Sequence, residues 1–168
     1  MIMSVDRKTI SFVAVLAALY AVLTLVLSPV SYGPLQFRFA DILQPFVLKG
    51  KKFVLAIALG TFLANLNSPF GVLDFGLMPL VSLLAGFVAY RINKINCFNS
   101  YTPYVAMCVF AAIIACGVGW ILNFSAHIPF VWGFFEVFIT VAVINMLGIG
   151  FINKIVKILK NRGIVLEN

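Results

Sequence analysis

Long apolar runs, each closed by a short cluster of Lys or Arg, leave this chain few folds other than a helical bundle in a lipid bilayer. A helix needs about 20 mostly apolar residues to cross roughly 30 Å of hydrocarbon, and several runs here approach that length. Of the 168 residues, 63% are hydrophobic and 10% charged; soluble domains carry about 45–50% and about 25%. The formal net charge of +7 is not a nucleic-acid-binding stripe, because the basic residues fall between the apolar runs. That pattern orients membrane helices. Arg7 and Lys8, then Lys49, Lys51 and Lys52, then Arg91 and Lys94, then Lys154, Lys157, Lys160 and Arg162 alternate with loops poor in basic residues. Six passes, one of them short, therefore put both termini in the cytoplasm.

The spacing predicts helices over about Thr9–Leu27, Phe53–Asn65, Asp74–Tyr90, Tyr104–Leu122 and Phe134–Phe151. The first is too long for a signal-peptide core and no clear cleavage site follows, so it reads as a retained helix. Between it and the next lie a Gly/Pro-punctuated segment, Pro29–Gln36, and a short apolar stretch, Phe37–Leu48, containing Pro45. As an α-helix of about eleven residues this stretch rises only about 16 Å, roughly half the hydrocarbon thickness. Either it starts near the midplane or the preceding loop dips in to meet it. Irregular backbone at such depth is tolerated only against protein or a cavity. The expected fold is an all-α integral membrane protein: a six-helix bundle, one domain over residues 1–168, with a short second helix and an outward-facing binding cavity.

Eleven of the twelve Lys and Arg residues fit the topology; Arg38 does not. Asp41, Asp74 and Glu136 depart from it in the same way, since an ionised side chain near the bilayer centre costs about 2.5–3.5 kcal/mol on insertion scales. Glu136, one turn inside the last helix among Phe134, Phe135, Val137 and Phe138, is the sharpest binding candidate; the competing reading is a carboxylate held by the helix N-terminus. Arg38 and Asp41, three residues apart, read as a local ion pair anchoring the loop, as ligand contacts, or as both. Gln36 stands beside them. Asp74 is placed as an N-cap of its helix. Asn65, Asn123 and His127 gather at the same end of the bundle. Tyr32, Phe37 and Trp120 offer rings to stack on a planar ligand, although interfacial aromatic belts explain many such residues. On the first helix, Ala14 and Ala18 form a small-xxx-small stripe, which suits internal packing or a partner helix. Cys97, Cys108 and Cys116 lack CxxC spacing, and with His127 the one histidine, no metal site is expected. There is no glycine-rich phosphate loop and no convincing internal repeat.

The segment Ala18-Leu19-Tyr20 through Leu27, followed by Ser28-Pro29-Val30-Ser31-Tyr32-Gly33-Pro34-Leu35-Gln36-Phe37-Arg38, resembles the queuosine-precursor transporter family, the substrate-binding S components of energy-coupling factor (ECF) transporters. Asp41, Ala64-Asn65, Leu73-Asp74 and Glu136 match its later positions. The chain departs from the family pattern at Ala40-Asp41, Phe135 and Pro79. The resemblance implies a non-enzymatic protein of the bacterial cell membrane that captures a 7-deazaguanine base from outside. It implies no cofactor of its own, ATP being hydrolysed by partners: a transmembrane coupling subunit, to which Ala14 and Ala18 would present a face, and two ATP-binding subunits. Under that reading Glu136 or Asp41 pairs with the guanine-like edge, and Gln36, Asn65 or Asn123 reads the carbonyl and ring nitrogens. An S component for another vitamin or purine is the alternative. An intramembrane enzyme fits poorly, because no Ser/His pair sits at suitable depth.

Overall fold

The computed structural model describes residues 7–32, 37–96 and 98–161, with side chains from residue 10 onward. Its elements are α1 (Arg7–Val26), a one-turn α2 (Ser28–Ser31), a 3-10 helix (Phe39–Lys49), α3 (Lys51–Asn65), α4 (Val72–Ile95), a short 3-10 turn (Asn99–Tyr101), α5 (Thr102–Ala126) and α6 (Phe130–Asn161). The described residues form no strand. α4, α6 and α5 with the turn before it are each long and apolar enough to cross a membrane. α1 and α3 are shorter apolar helices. Val15, Leu59, Leu80, Ile139 and Leu147 are exposed on the outside of the bundle, where lipid rather than water solvates them.

Helix ends differ from those expected by a few residues, and the last helix extends ten residues further, to Asn161, through Lys154, Lys157 and Lys160. Amphipathic continuation explains it: Ile152, Ile155, Val156 and Leu159 stay on the packed side while the lysines are exposed. α2 forms after Leu27 because Pro29 occupies its first turn, where a missing N–H is harmless.

The short second helix is present but is not α-helical. Phe39–Lys49 winds as a 3-10 helix with Pro45 inside it, so its eleven residues rise about 22 Å at about 2.0 Å each. That corrects the α-helical rise of about 16 Å. Long 3-10 runs are uncommon and mark strained or functional segments. Here tertiary packing holds the run: Ala40, Asp41 and every residue from Leu43 to Leu48 are buried. The segment packs against α1, α3, α4 and α6, while the long helices pack in the order α1–α3–α4–α5–α6 around it. It is the axis of the bundle.

Two glycines allow the contacts that place this axis. A Cβ at Gly60 would lie 2.9 Å from Tyr20 Cβ and 3.0 Å from the Ala17 carbonyl oxygen, so α1 and α3 touch backbone to backbone. A Cβ at Gly148 would lie 2.6 Å from the Ile42 carbonyl oxygen, so α6 lies directly on the 3-10 helix.

Candidate functional site

Arg38, Asp41 and Gln44 recur every three residues, which is one turn of a 3-10 helix, and therefore share a face. That face lines a cavity completed by Tyr20 of α1, Thr61 of α3, Met78 and Ser82 of α4, Ile114 and Val118 of α5, and Val137 and Val141 of α6. Every long helix contributes. The lining positions fall late in α1 and α3, early in α4 and α6, and in the second half of α5, so the cavity lies toward the end of the bundle remote from the basic clusters. The side chains leave about 330 Å³ between them when the open mouth is counted, most of it too narrow to admit a water. This space is thin, with room for about one or two waters between the packed side chains.

Asp41 is the chemical centre of the cavity. Its carboxylate is 2% exposed at the residue level. The Tyr20 hydroxyl donates to Oδ1 at 2.8 Å and the Gln44 Nε2 donates to the same oxygen at 2.6 Å. Oδ2 receives no hydrogen bond from a described side chain. The acid is thus oriented through one oxygen and keeps the other for something else. A charge this buried needs more partners than two neutral donors supply.

Arg38 supplies the second element. Its NH2 lies 3.7 Å from Asp74 Oδ2, the one ion pair among the described residues, and its guanidinium sits 5.3 Å over the Tyr32 ring. Tyr32 donates to the Ala64 carbonyl at 2.6 Å, pinning α2 to the end of α3. Asn65 Nδ2 donates to the Asp74 carbonyl at 3.4 Å and ties α3 to α4. At 3.7 Å the Arg38–Asp74 contact is too long for a hydrogen bond, so the guanidinium makes no hydrogen bond to that carboxylate.

Two local expectations change. Asp74 is not an N-cap: Gly71 holds that position, and Asp74 sits in the first turn with its carboxylate turned to Arg38. The three-residue ion pair does not form either, because Arg38 reaches across to α4 while Asp41 faces Tyr20 and Gln44.

A profile of the family described as QueT transporter matches residues 10–157, most of the chain. The chain belongs to the QueT transporter family. It is also similar to the queuosine precursor transporter QueT of Lactococcus lactis subsp. cremoris (strain MG1363), at 31% identity over 152 residues that cover 81% of this chain and 89% of that protein. No solved structure matches it.

In this QueT family member the remaining candidates are dispersed. Gln36 lies outside the described residues. Glu136 is half-buried on α6 beside the lining residue Val137, yet it is not part of the cavity wall. Trp120 is exposed and stacks on Phe124 at 5.7 Å. Asn123 donates to the Ile128 carbonyl at 3.0 Å, and His127 adopts a left-handed conformation (φ 55°) that ends α5. These two shape the α5–α6 connection. Phe37 meets Phe39 edge-on at 5.8 Å. Ala14 and Ala18 are exposed on the outer face of α1, whereas Ala17 and Ala21 are buried on its inner face. Tyr20, Gln44, Thr61 and Ser82 were not foreseen. Gln44 could have been found from its triplet spacing from Arg38 and Asp41.

Proposed function

We propose that the chain is the substrate-binding component of an ECF-type importer and captures a queuosine precursor, a 7-deazaguanine base, from outside the cell. Family membership and the name of the lactococcal relative support the transport class and the substrate. The observation that carries the reading is the buried Asp41 carboxylate, fixed through Oδ1, in a cavity that the Arg38 guanidinium also lines. A guanine-like edge presents a carbonyl, a ring N–H and an amine in a row. The open carboxylate oxygen accepts from the ring N–H, and the guanidinium donates to the carbonyl. Arg38, Asp41 and Asp74 together carry one net negative charge, which suits a ligand bearing an aminomethyl cation. A site built this way rejects rings lacking the edge, because its own buried groups would stay unpaired.

The positive-inside pattern supports a bacterial cell-membrane protein with the cavity end outside and both termini in the cytoplasm. Energy for import comes from partners, a transmembrane coupling subunit and two ATP-binding subunits, and the outward face of Ala14 and Ala18 on α1 is where a partner helix would pack.

The test is equilibrium binding of a 7-deazaguanine to the purified chain in detergent. Replacing Asp41 by Asn removes a charged acceptor and is expected to weaken binding roughly 10- to 150-fold, the equivalent of about 1.5–3 kcal/mol. Glu136→Gln, outside the cavity wall, is expected to bind nearly as the unmodified chain does. Full affinity in Asp41→Asn refutes the proposed pairing.

A further inference from the structure

Several buried side-chain atoms of the described residues have no hydrogen-bond partner: Ser31 Oγ, Gln44 Oε1, Asn65 Oδ1, Asp74 Oδ2 and both polar atoms of Asn145. Of these residues, Gln44 is the one that lines the cavity. Buried polar atoms are almost always paired, so an unpaired one on a residue that lines a ligand space is an acceptor an arriving ligand can satisfy.

The orientation of the Gln44 amide is fixed. Its Nε2 donates to Asp41 Oδ1 at 2.6 Å; the flipped amide would set its oxygen against a carboxylate oxygen, two acceptors in contact. Oε1 therefore presents an acceptor and nothing else. Arg38, just before the 3-10 helix, and Asp41 and Gln44 on it line the same cavity, and the 2.6 Å bond between Gln44 and Asp41 draws their polar ends together: donor, acceptor, acceptor. A guanine-like edge reads acceptor, donor, donor in the same order, from carbonyl through ring N–H to amine.

We infer that Gln44 determines specificity by accepting a hydrogen bond from the exocyclic amine of the bound base, through Oε1. The assignment rests on the reading of Asp41 proposed above and adds a separate claim. Asp41 recognises the ring N–H, which bases with and without the amine share. Gln44 tells the two apart. An amide that merely steadied Asp41 would affect both kinds of base alike.

The experiment compares 7-deazaguanine with 7-deazahypoxanthine, the same ring without the amine, by equilibrium binding to the full chain in detergent. The unmodified chain prefers the amine-bearing base by about tenfold or more, since the analogue leaves a buried acceptor unpaired. In Gln44→Met, of similar length without an acceptor, the preference falls to within about threefold of unity. Gln44→Asn, which keeps the amide and is retained as a second variant should the methionine chain not fold, shortens the reach and loses most of the preference. A preference unchanged in a folded variant, or absent from the unmodified chain while 7-deazaguanine still binds, overturns the role of Gln44 and leaves the Asp41 reading standing. If neither base binds the unmodified chain, both readings fall.

Discussion

Removing the Asp74 carboxylate isolates the consequence of holding Arg38 inside the bundle. The side chains of Arg38 and Asp74 are 9% and 3% exposed and 3.7 Å apart. At an effective dielectric of about 20, two unit charges at that distance attract by about 4–5 kcal/mol. Much of this offsets desolvation, so the pair's net worth is small, yet deleting one partner leaves a buried charge and costs about 3–5 kcal/mol. Arg38 keeps the Tyr32 ring at 5.3 Å and the field of Asp41. These place Asp74→Ala near the lower end, about 3 kcal/mol. The double variant Arg38→Met with Asp74→Leu removes both charges and is expected to be more stable than Asp74→Ala alone. The assay is denaturant unfolding of the chain in detergent micelles, comparing the double with Arg38→Met alone and Asp74→Leu alone. If the double loses as much as the two singles added together, the two charges are not coupled and the account of the pair is wrong.

Gly60→Leu is expected to lower stability by about 1–3 kcal/mol, measured by thermal melting, because its Cβ would meet Tyr20 and Ala17; Gly76→Ala, with open space around it, leaves the melting temperature unchanged. Tyr20→Phe deletes a donor to Asp41 Oδ1 and weakens ligand binding about tenfold in a chain that still folds, as titration of a 7-deazaguanine will show. Ala14→Leu combined with Ala18→Leu alters only the outer face of α1, so binding by the purified chain persists while uptake by cells falls; unchanged uptake would detach that face from transport.

The bundle was legible because burial in lipid writes itself as long apolar runs. Arg38, Asp41 and Asp74 were legible for a related reason: a charge in oil is conspicuous. Neutral groups are not. Tyr20, Gln44, Thr61 and Ser82 cost little in a membrane helix, so nothing flagged them, although all four line the cavity. Depth was readable and direction was not. Trp120 lies two residues beyond the lining residue Val118, about 200° around the helix, and Glu136 lies one residue, about 100°, before Val137. The partner of Arg38 was out of reach for another reason, since thirty-six positions separate it from Asp74 and only the packing of α3 between them brings the two together.

α1 has two faces with different employers. One side exposes Ala14 and Ala18; the other presses Ala17 and Tyr20 onto Gly60, and the Tyr20 hydroxyl grips the central acid. With no slack at that glycine, whatever leans on the outside of the helix also leans, one helix diameter away, on the grip that aims Asp41. Under the proposed docking on α1, a partner's contact and the aim of Asp41 would share a single lever.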